Sequence, residues 1–165
     1  HLINLGHKKI AIVTGRMNAQ DAQSRHQGFL DELTASGVEV NPDLIESGGY
    51  SFSQSVEATK KLLSKKQTFT ALFCSNDNSG MAAISTGTKH GLSVGKDVSV
   101  IGYDDIDLAE FTSPPMTSVN IPLEEISQNA CHQILNLCYG ESLPTKNRFE
   151  PTLTIRDSTC SLLEQ

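Results

Sequence analysis

Apolar, β-branched runs alternate along this chain with helical stretches, and each run closes on a glycine or a cluster of polar residues. That alternation limits the fold more than any other feature. Lys9 to Gly15 holds the unbroken run Ile10-Ala11-Ile12-Val13, as expected of a strand buried on both faces. Leu44 to Gly48, Thr70 to Cys74 and Val98 to Tyr103 read as further strands. Between them, Ala19 to Ser36 carries Phe29, Leu30 and Leu33 at helical spacing and stops at Gly37, a natural C′ glycine. Ser53 to Ser64 reads as a helix with Val56, Leu62 and Leu63 inward and Glu57, Lys60 and Lys61 outward. Asn76 or Asp77 can cap a third helix, which runs to about His90 and ends at Gly91.

Strands and helices in this order imply βαβ units. The expected fold is α/β, a three-layer αβα sandwich around a parallel sheet with right-handed crossovers. The tail differs. Ser113-Pro114-Pro115 breaks the pattern, Thr117 to Ile121 reads as a short strand, and Pro122 sits at the start of a helix reaching about Tyr139 before Gly140. Arg148 to Arg156 reads as a final strand.

The chain has 165 residues, enough for one domain, or a domain and part of another. The net charge is -6, and the basic clusters Lys8-Lys9, Lys60-Lys61 and Lys65-Lys66 are short. They suit solvated helix ends and strand starts, so this segment is not expected to bind DNA by itself. No apolar run has the length of a membrane span. The segment from His1 to His7 is not a signal peptide, and the lack of an initiating Met predicts a fragment of a longer chain. The cysteines Cys74, Cys131, Cys138 and Cys160 match neither a zinc pattern nor a CxxC redox pair, and the expectation is reduced structural thiols in a cytoplasmic protein.

In a parallel sheet, ligands sit beyond the carboxyl ends of the strands. The residues there are Gly15-Arg16, Gly48-Gly49-Tyr50, Ser75-Asn76-Asp77 and Tyr103-Asp104-Asp105. A helix cap accounts for one of Asn76 and Asp77 and leaves the other for a ligand; an asparagine offers both a donor and an acceptor. Asp104 and Asp105 are turn formers or ligand acceptors, and one such pair with Asp107 falls short of a hard-metal site. Arg25 is either a solvated helix residue or a fixed fork for oxygen atoms. Tyr50 either packs on the surface or offers a ring face and a polar tip to a sugar or purine. Gly-x-Ser-x-Gly, a Walker loop and HExxH are absent, so catalysis is not expected. The enzyme alternative is a hydrolase or transferase built on His26 and Asp104.

Taken in order, the motifs carry a family likeness. His1-Leu2-Ile3-Asn4-Leu5-Gly6-His7-Lys8-Lys9-Ile10-Ala11 resembles the HLI-x-LGH segment of the lactose-repressor (LacI/GalR) family. Gly15 followed by Arg25-x-x-Gly28-Phe29, Ser75-Asn76-Asp77, and Asp97 to Asp105 (DVSVIGYDD) resemble further motifs of that family. So do Pro114 to Val119 (PPMTSV) and Ile155 to Thr159.

The resemblance implies a periplasmic-binding-protein-like fold of type I, with two αβα subdomains and the ligand in the cleft between them. Residues 7–116 and 148–157 would form the C-terminal subdomain, and 117–147 would belong to the N-terminal one, within an effector-binding fragment spanning 1–165. The DNA-binding headpiece would be missing. The implied ligand-binding residues are Arg25, Asn76 and Asp104, with Tyr50 stacking on the ligand and Asp21 lining the pocket. The implied effector is a sugar or sugar derivative, with a purine as the other class; no cofactor or metal is implied. The implied partners are operator DNA, through the missing headpiece only, and a second copy in a homodimer. Ile121 and Ala19 depart from residues common in the family beside the cleft. The rival within the same fold is a periplasmic sugar-binding protein of a transporter.

Overall fold

The computed structural model describes residues 1–65 and 68–163; Lys66, one half of the Lys65-Lys66 cluster, lies outside them. Six strands form one sheet: β1 (Ile10–Thr14), β2 (Ile45–Ser47), β3 (Ala71–Cys74), β4 (Ser99–Asp104), β5 (Thr117–Asn120) and β6 (Thr152–Thr154). Their spatial order is β2-β1-β3-β4-β5-β6, parallel except for β6, which runs antiparallel to β5. The helices are α1 (Gln20–Ala35), α2 (Phe52–Ser64), α3 (Asp77–Lys89) and α4 (Leu123–Tyr139).

Side-chain alternation sorts the strands into two cores. Ala11, Val13, Leu72, Cys74 and Val100 face one way and pack with Ala58 and Leu62 of α2 and Ala83 and Ile84 of α3. Ile10, Ala71, Phe73 and Ile101 face the other way and pack with Phe29 and Leu33 of α1. The Phe29 and Phe73 rings stack with centroids 6.0 Å apart. This is the expected αβα layering: a sheet covered on both faces by the helices of its own crossovers.

α1 ends as expected. Gly37 takes a φ of 66°. The Val38 amide donates to Leu33 O and the Gly37 amide to Thr34 O, the paired bonds of a Schellman stop. The inward face of α2 differs from expectation. Ser55, Ala58, Thr59 and Leu62 are buried, while Val56 and Leu63 are half-buried. Small residues let α2 and α3 approach closely enough for Ser55 Oγ to donate to Ser79 Oγ at 2.8 Å.

The tail also differs. β5 pairs with β4 over Ile101↔Thr117 to Asp104↔Asn120, inside the sheet. The chain therefore leaves the sheet after Asn120, not at residue 117, because Thr117 and Ser118 are fully buried within it. No residue of α4 is buried, and Ile134, Leu137 and Tyr139 stand exposed on it. The loop after α4 folds back and braces the helix: Asn136 Nδ2 donates to Leu143 O, and Lys146 pairs with Glu125.

Candidate functional site

Strand order reverses between the paired neighbours β1 and β3, whose following connections leave in opposite directions, and in such sheets this is where a crevice opens at the carboxyl ends. Arg25 reaches this crevice from the second turn of α1. Its Nη1 donates to Ser75 O, just past β3, at 2.6 Å, and lies 3.5 Å from Asp104 Oδ1 at the end of β4. Its Nη2 lies 3.9 Å from Asp21 Oδ2, one turn back along α1. Asp21 in turn accepts the Tyr50 hydroxyl proton at 2.6 Å. The Tyr50 ring also lies near the guanidinium, 5.6 Å from Arg25 Cζ to centroid. Asn76 joins through Nδ2, which donates to Tyr50 O at 3.4 Å.

Asp21, Tyr50 and Asp104 thus meet around the Arg25 guanidinium, and Asn76 is joined to them through the Tyr50 carbonyl. Two local features bring Tyr50 there. Gly49 and Tyr50 both take left-handed backbone, with φ of 58° and 62°, which turns the chain sharply after β2. Gly15 lies directly beneath the Tyr50 ring, where a Cβ would collide with Cζ.

Asn76 and Asp77 divide their work differently from expectation. Asn76 is the cap: its Oδ1 accepts from Ser79 N at 3.0 Å and from Ser79 Oγ at 2.6 Å. Nδ2 is the donor that the cap leaves over, and it carries the bond to Tyr50 O. Asp77 is 1% exposed, and both its oxygens are taken. Ser118 Oγ donates to one at 2.5 Å and Ile106 N to the other at 2.8 Å. Burial raises the Asp77 carboxyl above its ordinary value, against the lowering effect of these two bonds.

Electrostatics mark out Asp104. Burial pushes its carboxyl up to about 6, against the pull of Arg25 and with the help of Asp77 and Asp21. Burial likewise lifts the Tyr50 hydroxyl to about 12, and its bond to Asp21 adds to this. The same bond holds Asp21 below the ordinary carboxylate range. The backbone at the end of β4 is strained as well, with φ of 112° at Asp104 and 53° at Asp105.

Other residues at the site were not among the implied ligand-binding set. Tyr103 is the platform for Arg25, with Cζ 3.9 Å from its ring centroid. Strand alternation could have found it, since Tyr103 lies two residues from Ile101 and so faces α1. Asp105 and Asn120 line a cleft of about 680 Å³ next to Asp104, along with Ile121 and Glu124. His26, the base of the enzyme alternative, has a buried Nε2 with no hydrogen-bond partner among the described residues.

Comparisons with known proteins bear on the family and the fold. A family described as periplasmic binding protein-like domain matches residues 1–159. The HTH-type transcriptional repressor PurR of Haemophilus influenzae is 35% identical over 99% of this chain and 50% of its own length. The chain therefore spans about half the length of the relatives it matches. Among solved structures, a sugar-binding transcriptional regulator of the LacI family from Escherichia coli, complexed with phosphate, matches at a TM-score of 0.91. It shares 34% identity over 97% of this chain and 58% of the other. The lac repressor dimer bound to operator and the anti-inducer ONPF matches at 0.88, with 28% identity over 98% of this chain and 56% of the other. The shared fold, the match to the family over residues 1–159 and the repressor relatives lead to one assignment: this chain belongs to the LacI family, through its periplasmic-binding-protein-like effector domain.

Proposed function

We propose that this chain senses a small sugar-like effector for a DNA-binding transcriptional regulator. The observation that carries the reading is the convergence of Asp21, Arg25, Tyr50, Asn76 and Asp104 at the strand ends. Arg25 and the Asn76 amide donate, Asp104 and Asp21 accept, and Tyr50 and Tyr103 offer ring faces. A polyhydroxylated ring needs that mixture: donors and acceptors for adjacent hydroxyls and a flat apolar surface for its C–H face.

The regulator acts in the cytoplasm as a dimer, and DNA is held by a part of the protein outside this chain. The acidic balance, -6, disfavours DNA contact through the domain itself. No helix among the described residues is long and apolar enough to cross a membrane. The domain performs no catalysis. Effector binding shifts a population between arrangements of two subdomains, and the shift is bounded by the effector's differential affinity for them.

The test is thermal unfolding of the full-length protein against a panel of sugars, nucleosides and bases. A ligand of the native state raises the melting temperature by mass action. A sugar that stabilises the protein, and fails to stabilise Arg25→Ala or Asp104→Ala, supports the reading. A folded protein that responds to no sugar refutes the sugar assignment.

A further inference from the structure

We propose that Asp105 is a positioning residue for Asp104: its carboxylate, fastened to Asn120, Thr154 and Arg156, holds Asp104 in left-handed backbone with its side chain toward Arg25. The inference rests on the reading of Asp104 as a ligand acceptor.

Two successive non-glycine residues at positive φ persist only where their surroundings over-determine them. Here Asp105 provides the hold. Its side chain is 8% exposed and accepts three bonds. Asn120 Nδ2 donates to Oδ2 at 3.0 Å, Thr154 Oγ1 to Oδ2 at 2.6 Å, and Arg156 Nη1 to Oδ1 at 2.7 Å. Burial alone would raise this carboxyl. The bonds from Thr154, Arg156 and Asn120, with the Arg156 charge, more than offset it and hold the group below its ordinary value. Arg156 Nη1 is itself anchored, donating also to Met116 O at 2.8 Å.

The backbone on the same side is pinned as well. The Asp105 amide donates to Ser118 Oγ at 3.2 Å, and the Ile106 amide to buried Asp77. Asp104, with one fixed neighbour after it and β4 before it, has nowhere to relax. The donors to Asp105 have a second significance. Asn120 is the last residue of β5 before the chain departs for α4, and Thr154 and Arg156 lie on the returning chain. One carboxylate therefore joins the outgoing and incoming paths to the residue beside the ligand.

The test reads Asp104 directly and needs no effector. In the full-length protein, the Asp104 carboxyl is titrated by carbon-13 NMR in wild type, Arg156→Gln and Thr154→Val. Coulomb's law and positioning predict different outcomes for Arg156→Gln. Loss of a positive charge alone would leave the Asp104 midpoint at about 6 or raise it. Release of Asp104 into water would lower it toward its ordinary 3.8. We expect the midpoint to fall in both variants. We also expect amide exchange at Ile121 and at Leu123 to Glu125 to quicken by about tenfold or more, as local opening becomes easier. A midpoint that stays or rises, with a lowered melting temperature alone, would show Asp105 to be a structural fastener and overturn the proposal. Thr154→Val removes one hydroxyl from a half-buried site and decides the matter if Arg156→Gln does not fold. A sugar panel without hits would refute the effector reading and leave this titration unaffected. An unmoved Asp104 would sink the positioning role even with an effector in hand.

Discussion

The guanidinium of Arg25 lies over the ring of Tyr103, 3.9 Å from Cζ to centroid, while its Nη1 donates to Ser75 O. Ring and carbonyl together fix a planar group in one orientation. Lysine can supply the charge but neither the fork nor the stacking surface. Arg25→Lys should therefore weaken effector binding by about tenfold or more, equal to about 1.4 kcal/mol. Titration calorimetry checks this; unchanged affinity would mean that charge alone suffices.

Asp104 is held at a φ of 112°, a conformation that glycine adopts without penalty. Asp104→Gly should raise the unfolding free energy in urea by about 1 kcal/mol, within the range expected for relieved backbone strain. The same variant should lose effector binding. Lower stability than wild type would show that the Asp104 side chain stabilises more than its backbone costs.

Stability should depend on pH through Asp104, with a definite sign. Its folded value, about 6, lies above the ordinary 3.8, so the folded state binds this proton more tightly. The group stabilises fully below its unfolded value, and that contribution is lost as pH rises through about 6. Asp104→Asn cannot ionise. Urea unfolding of the two proteins from pH 4 to pH 8 should show the variant gaining on wild type across that interval. A constant difference between them contradicts the assignment.

His7 gives the opposite slope. It is fully buried, with Nδ1 2.9 Å from Thr70 Oγ1 and Nε2 donating to Cys160 O at 3.0 Å. Burial lowers its proton affinity, against the raising effect of the Cys160 bond. The unfolded chain then takes up the proton first, and stability falls as pH drops below about 6.5. His7→Gln should flatten the acid side of the profile, as measured by the same unfolding experiment.

Gly15→Ala tests the placement of Tyr50. The added methyl would occupy the space of the ring, so Tyr50 must swing off β1 and release Asp21. Effector affinity should fall while the core beneath, Ala11 and Val13, keeps its packing. The Tyr50 hydroxyl should then titrate below about 12 in an ultraviolet pH titration. An unshifted tyrosine would show that the ring stays in place.

The parts of this fold legible in the sequence were those where one signal dominated. Ile10 to Val13 is apolar without a break because both its faces meet a core. The inner face of α2 was harder to read. Hydrophobicity favours Val56 and Leu63, yet Ser55, Ala58 and Thr59 are buried, because contact with α3 selects small residues. The direction of β6 is a property of the whole topology, carried by none of its residues. At the site, the motif residues were legible as a set, but neighbours of like type were not separable. Asp104 and Asp105 are chemically identical in sequence; the positive-φ backbone at the end of β4 sends one toward Arg25 and the other toward Arg156. Asn76 and Asp77 were likewise divided by geometry, one capping α3 and the other buried against Ser118.

The two paths to and from α4 leave the sheet side by side, with Asn120 opposite Thr152 in the β5–β6 register. Both attachments of the segment carrying α4 therefore lie at one edge of the sheet, and a displacement of that segment reaches Asn120 and Thr152 before any other residue of β5 or β6.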